Sequence, residues 1–269
     1  MGTELFSAVK YPNIAGILIP GKRGQILTTS YIPGGSGPFP TIVVCHGLPG
    51  TEQLQDFAVA LREKGFCVLC FHYSGCWGSD GDYSMANSLE DSRTVVEYIL
   101  KNKEGYFDVS RIFILGHSLG GLMASYLLGT MEEAKAGAVI MPANVAQDFR
   151  AVKTGSETET ELRHIYDDEF APWLRNFSWR QSKKEAEENI SRFDLTSYAE
   201  QMSRKPILLI AGTEDEVLPR EKHIDVLAAA ISAYDKYNLQ VQSFHTNHSI
   251  SMERDQVKAA VCAFFSAQK

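Results

Sequence analysis

The sequence is short of basic charge, of long apolar runs and of paired cysteines, and each shortage closes off a class of function. Its 26 lysines and arginines are outnumbered by 33 aspartates and glutamates, and no basic patch forms along the chain. Phosphate backbones are held by grouped cations, so no nucleic-acid partner is expected. No apolar run reaches bilayer length, and residues 1–10 lack a basic start followed by an apolar stretch, so the expectation is a cytoplasmic chain with no membrane partner. The five cysteines are an odd set, and no Cys/His grouping has zinc-ligand spacing. Cys67 and Cys70 stand at redox-motif spacing, but inside an apolar, strand-like run, where the reading is two small core residues. No metal and no cofactor is expected.

What is present is core material and one sharp turn. With 44% of 269 residues hydrophobic, the chain can bury a large core as one α/β body or two small ones. The rest falls into place around residues 112–121. There an apolar run stops at Gly116-His117-Ser118-Leu119-Gly120 and passes into helical spacing at Leu119, Leu122, Met123, Tyr126 and Leu127. This reads as a nucleophile elbow. A serine hydroxyl attacks well only when a tight strand-to-helix turn presents it to a base, and Gly116 and Gly120 let the backbones close in beside it. The helix after Ser118 aims free N–H groups at the place where an oxyanion would form, Leu119 first.

Residues 14–19 and 25–32 read as a hairpin across a Pro-Gly turn, followed by a Gly- and Pro-rich loop at 33–38. Residues 41–45 and 66–71 are continuous apolar runs, the mark of strands covered on both faces. The first ends in His46-Gly47-Leu48-Pro49-Gly50, with a helix expected from Thr51 or Glu52; such a turn can offer the Leu48 N–H to an oxyanion. The second ends in a Gly-rich loop around Trp77. A helix over 89–100, the elbow strand, and an apolar run at 136–141 complete an alternation that implies right-handed crossovers and a doubly wound, mostly parallel sheet.

The alternation stops from Pro142 to about Arg204 and resumes with strands at 205–211 and 238–244 and a last helix over 257–265. Residues 1–141 and 205–269 thus read as two parts of one body. Residues 142–204 read as an inserted helical lid, with helix-like pieces at 158–168, 172–176 and 183–190. Phe149, Tyr166, Phe170, Trp173, Phe177 and Trp179 punctuate it, either as the underside of a pocket or as anchors to the body. The run 183–188 reads as a solvated helix face.

A serine hydrolase needs a base to take the hydroxyl proton and a carboxylate to orient that base. In a doubly wound sheet the three meet only on loops at the carboxyl ends of strands, which favours Ser118, Asp215 and His248 in that order. Glu214 and Glu216 flank the acid, and His245 lies just before the histidine loop. His117 adjoins the serine with its side chain directed elsewhere, and His46 starts the oxyanion turn. His72, His164 and His223 lack suitable positions.

At these residues the chain resembles the α/β-hydrolase superfamily over nearly its whole length. His46-Gly47-Leu48-Pro49-Gly50 is similar to the oxyanion turn and Gly116-His117-Ser118-Leu119-Gly120 to the elbow. Gly212-Thr213-Glu214-Asp215 with Pro219 is similar to the acid turn, and Asn247-His248-Ser249-Ile250-Ser251 to the histidine loop. The four in this order imply an α/β-hydrolase fold with Ser118, Asp215 and His248 as the triad and the N–H groups of Leu48 and Leu119 as the oxyanion hole. Within the superfamily the chain looks most like lidded cinnamoyl and feruloyl esterases and serine aminopeptidase-like hydrolases, a grouping that Ser79-Asp80-Gly81 supports. It departs from the esterases by Leu119, where they often carry glutamine.

The resemblance implies a serine hydrolase that cleaves a small-molecule carboxylic ester through an acyl-enzyme. The same triad would serve a peptidase acting on short peptides or aminoacyl amides, with acidic lid residues to hold the ammonium group. A non-catalytic receptor of the same fold is the third reading, and a homodimer is allowed.

Overall fold

Short apolar runs in the central strands, buried over nearly their whole length, dictate a sheet covered on both faces. The computed structural model describes residues 10–51, 54–102, 105–235 and 237–269. In chain order the strands are β1 (Asn13–Gly21), β2 (Gly24–Ile32), β3 (Phe39–Cys45), β4 (Cys67–Phe71), β5 (Phe107–His117), β6 (Ala134–Ile140), β7 (Ile207–Gly212) and β8 (Leu239–Phe244). They form one eight-stranded sheet in the order β1-β2-β4-β3-β5-β6-β7-β8. The β1–β2 hairpin joins β4 antiparallel, while every neighbour from β4 to β8 is parallel. The expected doubly wound, mostly parallel sheet is therefore what forms.

The helices are α1 (Gln55–Glu63), α2 (Met85–Lys101), α3 (Leu119–Thr130), α4 (Val145–Ala151), α5 (Glu157–His164), α6 (Trp179–Asn189), α7 (Ala199–Met202), α8 (Arg220–Ser232) and α9 (Arg254–Ser266). Several boundaries differ from the sequence reading, three of them by a helix start or a lost helix. The helix expected from Thr51 or Glu52 begins at Gln55, and Glu52 lies outside the described residues. The helix expected from Leu89 starts one turn earlier, because the Ser84 hydroxyl accepts from the Asn87 N–H and caps it. Of the piece expected at 172–176, only a 3-10 turn at Ala171–Trp173 forms.

Helix α3 is apolar nearly all round because it is enclosed nearly all round. Leu119, Leu122, Met123, Leu127 and Leu128 are all buried, each worth about 1.5–3 kcal/mol relative to exposure. Its far end is closed by Lys205, whose ammonium donates to the carbonyls of Leu128 at 2.6 Å and Met131 at 2.7 Å. Burial lowers that lysine to about 8. The helix that carries the elbow serine is thus gripped along its flank and at its tail.

Between β6 and β7 the chain forms α4 to α7 with π and 3-10 turns between them. Phe149 stacks on Trp179 at 5.2 Å, and Tyr166 contacts Phe149, Phe170, Phe177 and Trp179. Tyr83 of the body meets Phe177 at 5.1 Å. These rings are anchors, packed on one another. Trp173 differs: it is half exposed and stacks on half-exposed Trp77 at 5.6 Å.

The run 183–188 is not simply a solvated face. Glu185 turns inward and accepts from the N–H groups of Met85 at 3.0 Å and Ala86 at 2.9 Å, so a carboxylate of the insert seats on the positive end of α2. Lys183 pairs with Glu159 at 2.6 Å.

Candidate active site

Four loops leave the carboxyl edge of the parallel sheet, after β3, β5, β7 and β8, and they carry His46–Gly50, Ser118, Asp215 and His248. Ser118 sits at φ 57° and ψ −125°, a conformation that costs a side-chain-bearing residue on the order of 1–3 kcal/mol. The turn is over-determined from both sides. The Ser118 N–H donates to Ile140 O at 3.1 Å, and the Ser118 carbonyl accepts from Gly121 and Ala143 at 2.8 and 3.0 Å. A Cβ on Gly120 would stand 1.9 Å from the Cys45 carbonyl oxygen, and one on Gly116 would stand 2.2 Å from Gly120 O, so neither position admits a side chain.

The hydroxyl of Ser118 lies 2.9 Å from Nε2 of His248, and Nδ1 of His248 lies 2.9 Å from Oδ2 of Asp215. The other oxygen of Asp215 accepts from the N–H groups of Val217 at 3.0 Å and Leu218 at 2.9 Å, so the carboxylate is fixed before it meets the imidazole. The flanking candidates fall elsewhere. Glu216 is exposed, and Glu214 pairs with His245 at 3.3 Å on the surface. The three residues favoured by the sequence are brought together, while two of those passed over pair with one another outside.

The turn after β3 presses on the elbow: a Cβ on Gly47 would stand 2.8 Å from Cβ of Ser118. Neither the Leu48 nor the Leu119 N–H donates to a protein acceptor among the described residues. His46 does pack within this turn, its Nδ1–H donating to Gly47 O at 2.7 Å while Tyr73 Oη donates to the His46 carbonyl at 2.9 Å. Burial holds it neutral, with a pKa lowered to about 4.

Burial likewise pushes the thiols of Cys45, Cys67 and Cys70 up to about 12 and leaves them protonated at neutral pH, as core residues should be.

Two supports of this site escape sequence reasoning. His117 does turn away from Ser118, but toward the histidine loop, where its Nε2–H donates to the His248 carbonyl at 2.9 Å. Arg254 donates to Ser249 O at 3.2 Å and forks onto Asp56 at 3.0 and 2.9 Å, tying the histidine loop to α1. The only signal for the first was a histidine where elbows tolerate many residues; the second joins positions far apart in sequence and gave none.

Residues 54–268 match the model of the prolyl oligopeptidase family. The chain belongs to that family. As a member of the prolyl oligopeptidase family it has the α/β-hydrolase fold, with the eight-stranded, mostly parallel sheet described above. It is 32% identical over 161 residues to esterase EstD of Thermotoga maritima, across 55% of this chain and 35% of EstD. It is 24% identical to the acylamino-acid-releasing enzyme of Sus scrofa, across 82% of this chain and 30% of that enzyme. The chain thus spans about a third of the length of both. Est1E of Butyrivibrio proteoclasticus with bound ferulic acid superposes with a TM-score of 0.75 at 20% identity, covering 94% of this chain and 98% of Est1E. No helix among the described residues of this family member is long and apolar enough to cross a membrane.

Proposed function

We propose that the protein hydrolyses small carboxylic esters through an acyl-enzyme on Ser118, with residues 142–204 as a lid over the site. The observation that carries the reading is the continuous line of hydrogen bonds from the Ser118 hydroxyl through His248 to Asp215, 2.9 Å at each step. In the first half-reaction Ser118 Oγ bonds to the ester carbon as its proton passes to His248 Nε2. The carbonyl oxygen gains charge and is met by the N–H groups of Leu48 and Leu119. His248, its imidazolium steadied by Asp215, then gives the proton to the departing alkoxide as the C–O bond breaks. A water molecule repeats the sequence on the acyl-enzyme and frees the acid. Neither a metal nor a cofactor takes part.

A peptidase on the same machinery is the second reading, favoured by membership of the prolyl oligopeptidase family and by the likeness to the acylamino-acid-releasing enzyme. Turnover of matched aryl esters and aminoacyl anilides separates the two. The shared mechanism is tested by a fluorophosphonate probe and by Ser118→Ala. The probe should label Ser118, and the variant should keep its fold while losing about 10³-fold or more in kcat. Unlabelled wild-type protein, or a variant with most of its esterase rate, would favour a receptor.

A further inference from the structure

Gly47 solves one problem beside Ser118 and raises another. A Cβ there would stand 2.8 Å from Ser118 Cβ and 3.3 Å from Ser118 Oγ, so only glycine lets the turn after β3 lie against the hydroxyl. With no side chain to pack, the peptide that joins Gly47 to Leu48 can swing about its flanking bonds unless its polar groups are held. That peptide carries the Leu48 N–H, which donates to no protein acceptor among the described residues.

His46 supplies the hold. Its Nδ1–H donates to Gly47 O at 2.7 Å. The peptide is trans, so its C=O and N–H point opposite ways, and with the carbonyl turned onto the ring the Leu48 N–H faces away from it. The far end of the turn closes on the same ring, since a Cβ on Gly50 would stand 2.8 Å from Cε1 of His46. Nε2 of His46 is buried without a partner among the described residues, so the bond from Nδ1 is what accounts for a polar ring at this place.

Tyr73 in turn holds His46. It follows β4, the neighbour of β3 in the sheet. Its hydroxyl donates to the His46 carbonyl at 2.9 Å, and its ring lies 4.4 Å from the imidazole. The tyrosine is clamped as well. Phe71 meets its ring edge-on at 5.2 Å, and the next residue, Ser74, donates its N–H at 2.7 Å to buried Asp91, which Arg23 holds at 2.9 Å. One line of contacts thus runs from the β1–β2 turn to the peptide beside Ser118.

We propose that Tyr73 and His46 are positioning residues for oxyanion stabilisation: the Tyr73 hydroxyl fixes the His46 carbonyl, His46 Nδ1–H fixes Gly47 O, and the Leu48 N–H is thereby aimed at the oxygen on which charge develops. The inference rests on Ser118 and Leu48 in the roles proposed above. A donor held in this way acts on the transition state and leaves the bound ester nearly untouched.

The test uses Tyr73→Phe, which deletes one oxygen, His46→Leu, which removes the Nδ1 donor, and His46→Asn, whose side-chain amide can donate from nearly the same place. With naphthyl acetate as substrate, Tyr73→Phe should lower kcat about three- to tenfold and His46→Leu about ten- to a hundredfold, up to the loss of an oxyanion donor outright. KM should move little, and His46→Asn should recover much of the loss. An aryl trifluoromethyl ketone, which adds to Ser118 as a charged hemiketal, should bind more weakly by the same factor as kcat in each variant, while the product naphthol binds as before. A purely structural role would weaken both ligands or neither. Thermal melts show which variants are folded, and Tyr73→Phe carries the test alone should His46→Leu not fold. Wild-type kcat in Tyr73→Phe, a loss shared by ketone and naphthol, or equal losses in the leucine and asparagine variants would overturn the proposal. Fluorophosphonate labelling of the wild type reads Ser118 by itself, so its failure is distinct from failure of this positioning role.

Discussion

His117 donates from Nε2 to the main-chain carbonyl of His248 at 2.9 Å, and the two imidazoles lie 5.0 Å apart and 34° from parallel. The residue before Ser118 thus holds the loop of His248 by its backbone. Burial, and then the charge of His248, keep His117 neutral with a pKa of about 3, so the bond persists well below neutral pH. His117→Leu leaves that carbonyl unpaired, at a cost of about 1–3 kcal/mol. We expect kcat to drop about ten- to a hundredfold with KM little moved, and His117→Asn, which retains an N–H, to recover part of the loss. Equal kcat for the leucine variant and wild type would show that the bond positions nothing.

Arg254 and Asp56 couple the loop of His248 to α1, the helix after the His46–Gly50 turn. The fork-to-carboxylate contact is bidentate, and Lys258 adds a third donor at 3.3 Å. Breaking it leaves both loops in place but frees their relative motion. Asp56→Asn should lower kcat by a factor corresponding to about 0.5–2 kcal/mol. Arg254→Met should do the same, and the double variant should lose no more than the worse single one. Losses that simply add in steady-state kinetics would mean that the two side chains act separately.

What could be read from the sequence was whatever is written locally. Val43, Val44, Ile114 and Ile210 sit in apolar runs that can only be covered strands, and the glycines around Ser118 belong to a turn that admits no other residue. Each such run fixes where its strand ends, and the strand ends fix which loops meet. That is why Ser118, Asp215 and His248 were legible as neighbours. The insert was less so, because short helices such as α4 are set by partners distant in sequence. Glu185 looks like a surface charge until the N-terminus of α2 arrives beneath it, and Asp148 looks like any other acid until the fold sets it 3.9 Å from His223.

Four histidines that burial keeps neutral make the fold sensitive to acid. The pKa values of His46, His72 and His223 are lowered to about 4 and that of His117 to about 3, while in the unfolded chain all four titrate near 6.5. As pH falls below 6.5 the unfolded state takes up protons the native state refuses, so their contribution to stability, full above 6.5, is lost toward 4. Each costs about 1.4 kcal/mol per pH unit. Asp148 works against them, since its raised native pKa of about 7 makes the native state bind a proton over the same range. Four against one leaves a net loss of about three protons' worth, roughly 4 kcal/mol per unit between pH 6 and 4.5. Urea unfolding across that range should show this slope, and His223→Gln should flatten it by about a third. A level profile would contradict neutral burial of these rings.

Glu185 is where the insert can be cut loose without touching the site. Its two oxygens satisfy the N–H groups of Met85 and Ala86 on α2, and the aromatic cluster of Phe149, Tyr166 and Trp179 packs on the same side of the insert. Removing the carboxylate strands two partly buried donors and the positive end of a helix, a loss of about 1–3 kcal/mol. Because the loss falls on the seam between insert and body, it should appear first as local opening, not as global unfolding. Limited proteolysis of Glu185→Ala should therefore cleave within residues 142–204 well before the body is attacked, while Glu185→Gln, which keeps one acceptor oxygen, should lie between the variant and wild type. Cleavage scattered equally over the sheet and the insert would mean that residues 142–204 do not move as a unit and are no lid.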